Sequence, residues 1–167
     1  MRSTLKLVVI WSLFLLSLSG CQATTGHYLG ALADEEAVTV IGPVLDTQQH
    51  WEELYVAVDS HLVRLENQYQ MTGWLSFSLH SQIMYTRVAD VELTLFLLDS
   101  DNLVVDYRKA THFKGLSPED RIPFTVTLPL VDRAVSYTFG YRIRLINEEG
   151  DSSTNWFYPR THHQPND

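Results

Sequence analysis

The stretch SYTFGYRIRLI, residues 136–146, decides the fold class of this chain. Its apolar residues alternate with small, polar or basic ones. This period of two is typical of a β-strand that packs one face on a core and turns the other to water. Arg142 and Arg144 fall on the outward face. The predicted inward set is Tyr137, Phe139, Tyr141, Ile143 and Leu145.

The same alternation recurs along the chain, separated by polar turns. Within residues 73–81, where Trp74 is predicted to be buried, the inward set is Leu75, Phe77 and Leu79. Further sets are Val91, Leu93, Leu95 and Leu97; Leu103, Val105 and Tyr107; and Phe124, Val126 and Leu128. Residues 154–159 read as an edge strand ended by Pro159. Six or seven such strands predict a mainly β, antiparallel β-sandwich, with a small barrel as the alternative.

Residues 46–58 show a different spacing. Their large apolar residues fall at i, i+3, i+4 and i+7, which is one face of a helix. These residues are Trp51, Leu54, Tyr55 and Val58. We therefore predict a short N-terminal helix over 46–58. Leu54, Val56 and Val58 also alternate, so a strand at the end of this segment is the alternative.

The N-terminus has the composition of an export signal. Arg2 and Lys6 precede twelve mostly apolar residues, 7–18, and small residues follow. Twelve residues are too few for a membrane-spanning helix, which needs roughly 17–25.

The four residues Leu18-Ser19-Gly20-Cys21 resemble the lipobox of bacterial lipoprotein signal peptides. The resemblance implies that lipid is attached to the Cys21 sulfur and that the chain is cleaved before it. Gln22 follows the cysteine, where Asp retains Gram-negative lipoproteins at the inner membrane. The resemblance thus implies a lipid-anchored outer-membrane protein, and we predict that it lies on the periplasmic face.

These features predict the domain organisation. Residues 1–20 would be the signal peptide, 21–36 a lipidated tether, 37–158 one sandwich domain and 159–167 a flexible tail. Losing Arg2 and Lys6 changes the net charge from −8 to −10, which argues against a nucleic-acid partner. Cys21 is the single cysteine, so the mature domain can form no disulfide of its own.

The strand region also resembles immunoglobulin-like or fibronectin-like domains of bacterial envelope proteins. The resemblance covers roughly residues 60–158, through the stretches at 91–107, 118–130 and 137–145. Asp132, Ala134 and Tyr137 resemble the tyrosine corner that precedes strand F of such sandwiches. No cysteine pair accompanies it. The resemblance implies an immunoglobulin-like sandwich.

The motifs of common catalytic and metal sites are missing from the sequence. His80 and His112 could approach each other, but their spacing specifies no metal site. Ser78, His80 and Asp90 are the residue types of a catalytic triad, but no nucleophile motif surrounds Ser78. We therefore predict no catalytic residue, no metal and no cofactor apart from the covalent lipid on Cys21.

Aromatic residues give the one enrichment that suggests binding. Alternation must leave at least one ring of Trp156, Phe157 and Tyr158 outward, and Arg142 and Arg144 add donors. We predict a binding surface formed by Trp156, Tyr158, Arg142 and Arg144. The predicted function is a non-catalytic module that binds an envelope protein. A carbohydrate- or small-ligand-binding lipoprotein is the alternative, and an envelope hydrolase is a weaker one.

Overall fold

The computed structural model of the protein describes residues 27–42 and 48–161. They contain a short 3-10 turn, Glu35–Ala37, and one α-helix, α1 (Leu79–Met84). The strands are β1 (Thr39–Val40), β2 (Gln48–Glu52), β3 (Val56–Leu65), β4 (Gln68–Phe77), β5 (Arg87–Leu98), β6 (Val104–Leu116), β7 (Ile122–Pro129), β8 (Ser136–Ile146) and β9 (Ser152–Phe157).

The strands form two antiparallel sheets. The first has the order β6-β5-β8, with β1 and β9 both paired to the free side of β8 at different heights. The second has the order β2-β3-β4-β7. The predicted mainly β antiparallel sandwich is confirmed.

The connections between the sheets are immunoglobulin-like. Six strands, β3, β4, β5, β7, β8 and β9, take the places of strands A, B, C, E, F and G of a constant-type immunoglobulin domain. The exception is β6, which pairs with β5, whereas strand D of that domain pairs with strand E.

Alternation along the strands builds the core between the sheets. In β7 every second residue from Ile122 to Leu128 is buried and its neighbours are exposed. The predicted inward set of β8 is fully confirmed, since all five of its side chains are buried. Facing residues include Leu75 and Met71 of β4, which are completely buried.

The predicted helix over 46–58 is wrong. Residues 48–52 form β2 and residues 56–65 form β3, while residues 46 and 47 lie outside the described part. Leu54, one of the four residues at helical spacing, is 57% exposed in the connection between the strands. Trp51 and Val58 are both buried as Cα partners across the β2–β3 pair. Strand alternation therefore prevails over a helical spacing that four residues match by coincidence.

The predicted tether, 21–36, is corrected for residues 27–36. Ala31 and Ala33 are buried on the outer face of the first sheet, against Phe96, Leu98 and Val104. Backbone hydrogen bonds hold the segment there, because Gly30 N–H donates to the Val104 carbonyl and Val104 N–H to the Ala31 carbonyl. Residues 27–38, which we name the N-terminal cover, thus form a second small core.

The predicted flexible tail, 159–167, is corrected at its start. Pro159 is buried, and Arg160 exchanges two backbone hydrogen bonds with Leu32 of the N-terminal cover. Residues 162–167 lie outside the described part.

The resemblance to a tyrosine corner fails at its hydroxyl group. Tyr137 is buried near the start of β8, as the resemblance implies. Its hydroxyl makes no hydrogen bond of standard geometry with a residue of the described part. The buried Ser60 hydroxyl likewise makes no such hydrogen bond with the described residues. Burial raises the pKa of Tyr137, and the nearby side chains of Ser60 and Thr39 partly oppose that rise.

The strand predicted through Leu79 ends at Phe77 instead. Ser78 caps α1, since its hydroxyl accepts a hydrogen bond from Ser81 N–H and donates one of 2.6 Å to the Leu54 carbonyl. Leu79 is therefore not inward but 70% exposed. We name the surface formed by Leu54, Leu79, Ile83 and Met84 the apolar tip.

Candidate functional site

The N-terminal cover leaves part of the outer surface of the first sheet exposed, and we name this part the open face. Strand register arranges its side chains in two rows across β6, β5, β8 and β9. One row is Lys114, Asp90, Arg144 and Thr154, and the next is His112, Glu92, Arg142 and Trp156. Lys109 borders the second row through its ion pair with Glu92.

Basic side chains predominate on the open face of an otherwise acidic chain. Asp90 accepts hydrogen bonds from His112 Nε2 at 3.0 Å and from Arg142 Nη2 at 3.3 Å. Partial burial acts to raise the pKa of Asp90. The hydrogen bond from His112 and the charges of His112, Arg142 and Lys114 outweigh it, so this pKa lies below its ordinary value. The carboxylate is thus held ionised and fixes the position of the Arg142 guanidinium.

Trp156 is the large apolar side chain of the open face. It is 62% exposed and lies directly opposite Arg142 in the β8–β9 pair. Its ring makes no stacking or cation contact with any residue of 27–42 or 48–161. A tryptophan held outward on a strand, without a ring or cation contact in these ranges, is available to bind another molecule.

A depression of about 450 Å³ adjoins the Trp156 ring. Its lining includes Tyr28 and Asp34 of the N-terminal cover, Arg142 of β8, and Tyr158 and Arg160. The Tyr28 and Tyr158 rings stack with centroids 5.2 Å apart, which makes the floor of the depression rigid. Burial, together with the charge of Glu92, raises the pKa of Tyr158, so its hydroxyl stays protonated at neutral pH.

The predicted binding residues fall at different places. Trp156, Arg142 and Tyr158 all line the depression. Arg144 is exposed one row away, on the same face as Arg142 but outside that lining. Its guanidinium has no ion-pair partner in the described part of the chain. Cys21, the predicted lipidation site, lies outside the described residues.

The predictions missed the contribution of the N-terminal cover to this depression. Tyr28 and Asp34 were assigned to a tether because small residues around them show no periodic pattern. The signal that could have indicated the cover is Leu95-Phe96-Leu97-Leu98. Four consecutive apolar residues are typical of a strand that is buried on both faces.

The second sheet presents a separate aromatic site that the predictions also missed. Trp74, predicted to be buried, is 45% exposed. The Arg121 guanidinium lies 5.5 Å from its ring centroid and also pairs with Asp59 at 3.2 Å. A depression of about 520 Å³ runs beside this ring. Because Arg121 already engages the ring, Trp74 is less available than Trp156.

The candidate catalytic and metal residues have structural partners. The Ser78 hydroxyl caps α1, and His80 packs edge-on against the Tyr55 ring at 5.5 Å. His112 is paired with Asp90. In the described ranges, no three His, Cys, Asp or Glu side chains converge as metal ligands would. In the same ranges, no helix is long and apolar enough to cross a membrane.

Comparison of the chain with protein-family models, with curated proteins and with solved structures gives no match.

Proposed function

We propose that this protein is a non-catalytic binding module, lipid-anchored through Cys21 on the periplasmic face of the outer membrane. It recognises an envelope protein through the open face. The observation that carries this proposal is Trp156, exposed beside a positioned Arg142 on an edge strand. Tryptophan and arginine are the residues most enriched among the strongest contributors to protein interfaces.

The free edge of β9 supports a protein as the partner. Among the described residues, β9 pairs with β8 alone, and its six residues, Ser152–Phe157, carry no charge and no proline. Charged side chains and proline usually protect an edge strand from pairing with another chain, and β9 has neither. An extended segment of the partner could therefore add to this edge while its side chains contact the Trp156 ring.

A carbohydrate ligand is the second candidate, because the depression of about 450 Å³ lies directly beside the exposed ring. Sugar rings stack on tryptophan, and Arg142 and Arg160 would supply hydrogen-bond donors at the rim. This candidate needs no contribution from the edge of β9.

Photo-crosslinking in intact cells tests the protein-partner proposal. A photoreactive residue at exposed Thr154 of β9 is expected to give one adduct of defined mass. The matched control is exposed Thr127 on β7 of the other sheet, which is expected to give none. Trp156→Ala should reduce the Thr154 adduct by about tenfold, the effect typical of a dominant interface residue. Equal adducts from both positions, or an unchanged yield in Trp156→Ala, would contradict the proposal.

Fluorescence titration with a panel of envelope glycans separates the second candidate from the first. A carbohydrate site predicts a saturable change in tryptophan emission that Trp156→Phe abolishes and Trp74→Phe retains. A response that survives Trp156→Phe, or no response to any glycan, removes the carbohydrate candidate.

A further inference from the structure

The apolar tip is a rigid surface, held out from the end of the sandwich. Leu79, Ile83 and Met84 of α1 are 70%, 71% and 55% exposed, and Leu54 beside them is 57% exposed. A soluble domain gains nothing by holding four large apolar side chains in water at one place.

Hydrogen bonds fix the tip in this exposed position. The Ser81 hydroxyl is completely buried and donates to the Tyr55 carbonyl at 2.8 Å, while the Gln82 amide donates to the Phe77 carbonyl at 2.8 Å. The Ser81 bond and the Ser78 bond to the Leu54 carbonyl clamp α1 onto the β2–β3 connection, and the Gln82 bond ties it to the end of β4. The apolar side chains therefore cannot turn inward without breaking these partly buried hydrogen bonds.

The length of chain between the lipid and the sheet limits how far the membrane can be from the tip. Five residues, 22–26, separate Cys21 from His27, and His27 lines the depression beside Trp156. Fully extended, this segment spans at most about 20 Å. From Arg142, opposite Trp156, β8 runs four residues to Ile146, whose carbonyl accepts from Thr86 N–H next to α1. That distance is about 13 Å, so an acylated Cys21 can reach the level of the tip.

Charge around the tip restricts the type of lipid. Glu53 precedes Leu54, and the turn that follows Ile146 carries Glu148, Glu149 and Asp151. Acidic side chains repel an anionic bilayer surface but not a zwitterionic one.

We propose that the apolar tip inserts into the interface of a zwitterionic bilayer and, together with the acyl chains on Cys21, orients the sandwich on the membrane. This inference rests on the proposed lipid anchor. Amphipathic elements with a few apolar side chains bind the headgroup boundary weakly by themselves, and a nearby lipid anchor makes such contacts persistent.

A thiol-reactive fluorophore tests the position of the tip. The single natural cysteine is consumed by the lipid, so Ile83→Cys in the full acylated protein gives one labelled site. On phosphatidylcholine vesicles, lipids brominated along their acyl chains should quench this label several-fold more than a label at Thr127→Cys. Added Leu79→Ser and Met84→Ser should abolish the difference. The matched control is Leu65→Ser, an exposed leucine in the β3–β4 hairpin, which should leave the quenching unchanged.

Replacing part of the phosphatidylcholine with phosphatidylglycerol at low salt should weaken the quenching of the Ile83 label. An acylated protein whose Ile83 label stays unquenched overturns the tip proposal alone. Quenching that is seen only for a label at Thr154→Cys also overturns the tip proposal, and it places the open face on the bilayer instead. A native protein whose mass shows no acyl chains overturns the lipid anchor, and the tip proposal with it.

Discussion

Gly140 lies in the middle of β8, where the Tyr158 ring packs directly on the strand. A Cβ atom there would stand 2.7 Å from Tyr158 Cδ1, 2.8 Å from the Phe157 carbonyl oxygen and 2.9 Å from Phe96 Cε2. Two of these neighbours belong to stacked rings and the third is backbone, so none can move without disturbing the second core. Glycine at this position is thus a packing requirement of the floor of the depression.

We expect Gly140→Ala to lower the free energy of unfolding by about 1–3 kcal/mol, the usual cost of forcing an extra carbon into a packed site. Urea denaturation with tryptophan emission measures the change. Gly42→Ala is the control, because a Cβ at Gly42 meets no atom within 4 Å. Equal midpoints for the Gly140 and Gly42 variants would show that the Tyr158 ring does not pack on the strand.

His50 and Asp59 form a hydrogen-bonded pair on the second sheet. His50 Nδ1 lies 2.8 Å from Asp59 Oδ1, and that hydrogen bond is the main reason that the pKa of His50 is raised. Desolvation opposes the rise, and Glu52 adds to it. A raised pKa in the folded state means that the protonated imidazole favours folding. Its contribution is complete below the unfolded pKa of about 6.5 and is lost as pH rises through the folded value.

We therefore expect the unfolding free energies of wild type and His50→Asn to converge as pH rises from about 6 to 8. The difference at low pH will be small because His50 is largely exposed. NMR titration should give His50 a pKa above that of a free histidine, and Asp59→Asn should lower it. Asp106→Asn, which removes the ion-pair partner of Arg108, is the control. If the pKa of His50 is the same in Asp59→Asn as in wild type, the pairing is refuted.

At the level of elements, strands that face one core could be predicted, and segments whose place depends on a distant partner could not. The inward sets of β7 and β8 followed from alternation alone, because every second side chain of these strands enters the same core. The segment 46–58 was misassigned because the clamp of α1 on Leu54 and Tyr55 is a contact between residues more than twenty positions apart. No local period encodes such a contact.

The place of the N-terminal cover also depends on a distant partner, the first sheet, and so could not be predicted. Two neighbouring substitutions test how the cover is held. Ala31 is buried against the first sheet, whereas Leu32 next to it is 46% exposed. We expect Ala31→Glu to detach the cover, because a carboxylate cannot be buried there without a partner. Leu32→Glu should be tolerated.

Amide hydrogen exchange measures the difference between these two variants. The amides of Gly30, Ala33 and Val104 are hydrogen-bonded between the cover and the β5–β6 hairpin. In Ala31→Glu they should exchange roughly tenfold faster or more, as in a locally unfolded segment. Exchange that is unchanged in Ala31→Glu would mean that the cover is held by other contacts.

At the scale of the whole molecule, the sandwich keeps its candidate surfaces apart. The open face lies on the first sheet, and the aromatic site around Trp74 lies on the second. The apolar tip lies at the end of the sandwich where β4 leads to β5. The sequence indicated that Arg142 and Arg144 point outward and that at least one ring of residues 156–158 does so. It could not indicate which outward residues stay exposed, since the N-terminal cover buries Phe96 and leaves Glu92 of the same strand partly exposed. The candidate site therefore depends on where the N-terminal cover packs on the first sheet.

The proposed link between this layout and a membrane depends on acylation of Cys21, and a single substitution tests it. We expect native protein to begin at residue 21 and to carry acyl chains, because two or more chains, at about 0.8 kcal/mol per buried methylene, anchor a protein stably. Cys21→Ser should lose the incorporation of labelled fatty acid and leave the outer-membrane fraction. Its urea midpoint should be unchanged, since both cores are built from residues between 28 and 158. Ser19→Ala keeps a small residue before Gly20 and should be processed normally. If Cys21→Ser remains in the outer-membrane fraction, the anchor is not the cysteine, and the reach of residues 22–26 no longer supports contact between the apolar tip and the bilayer.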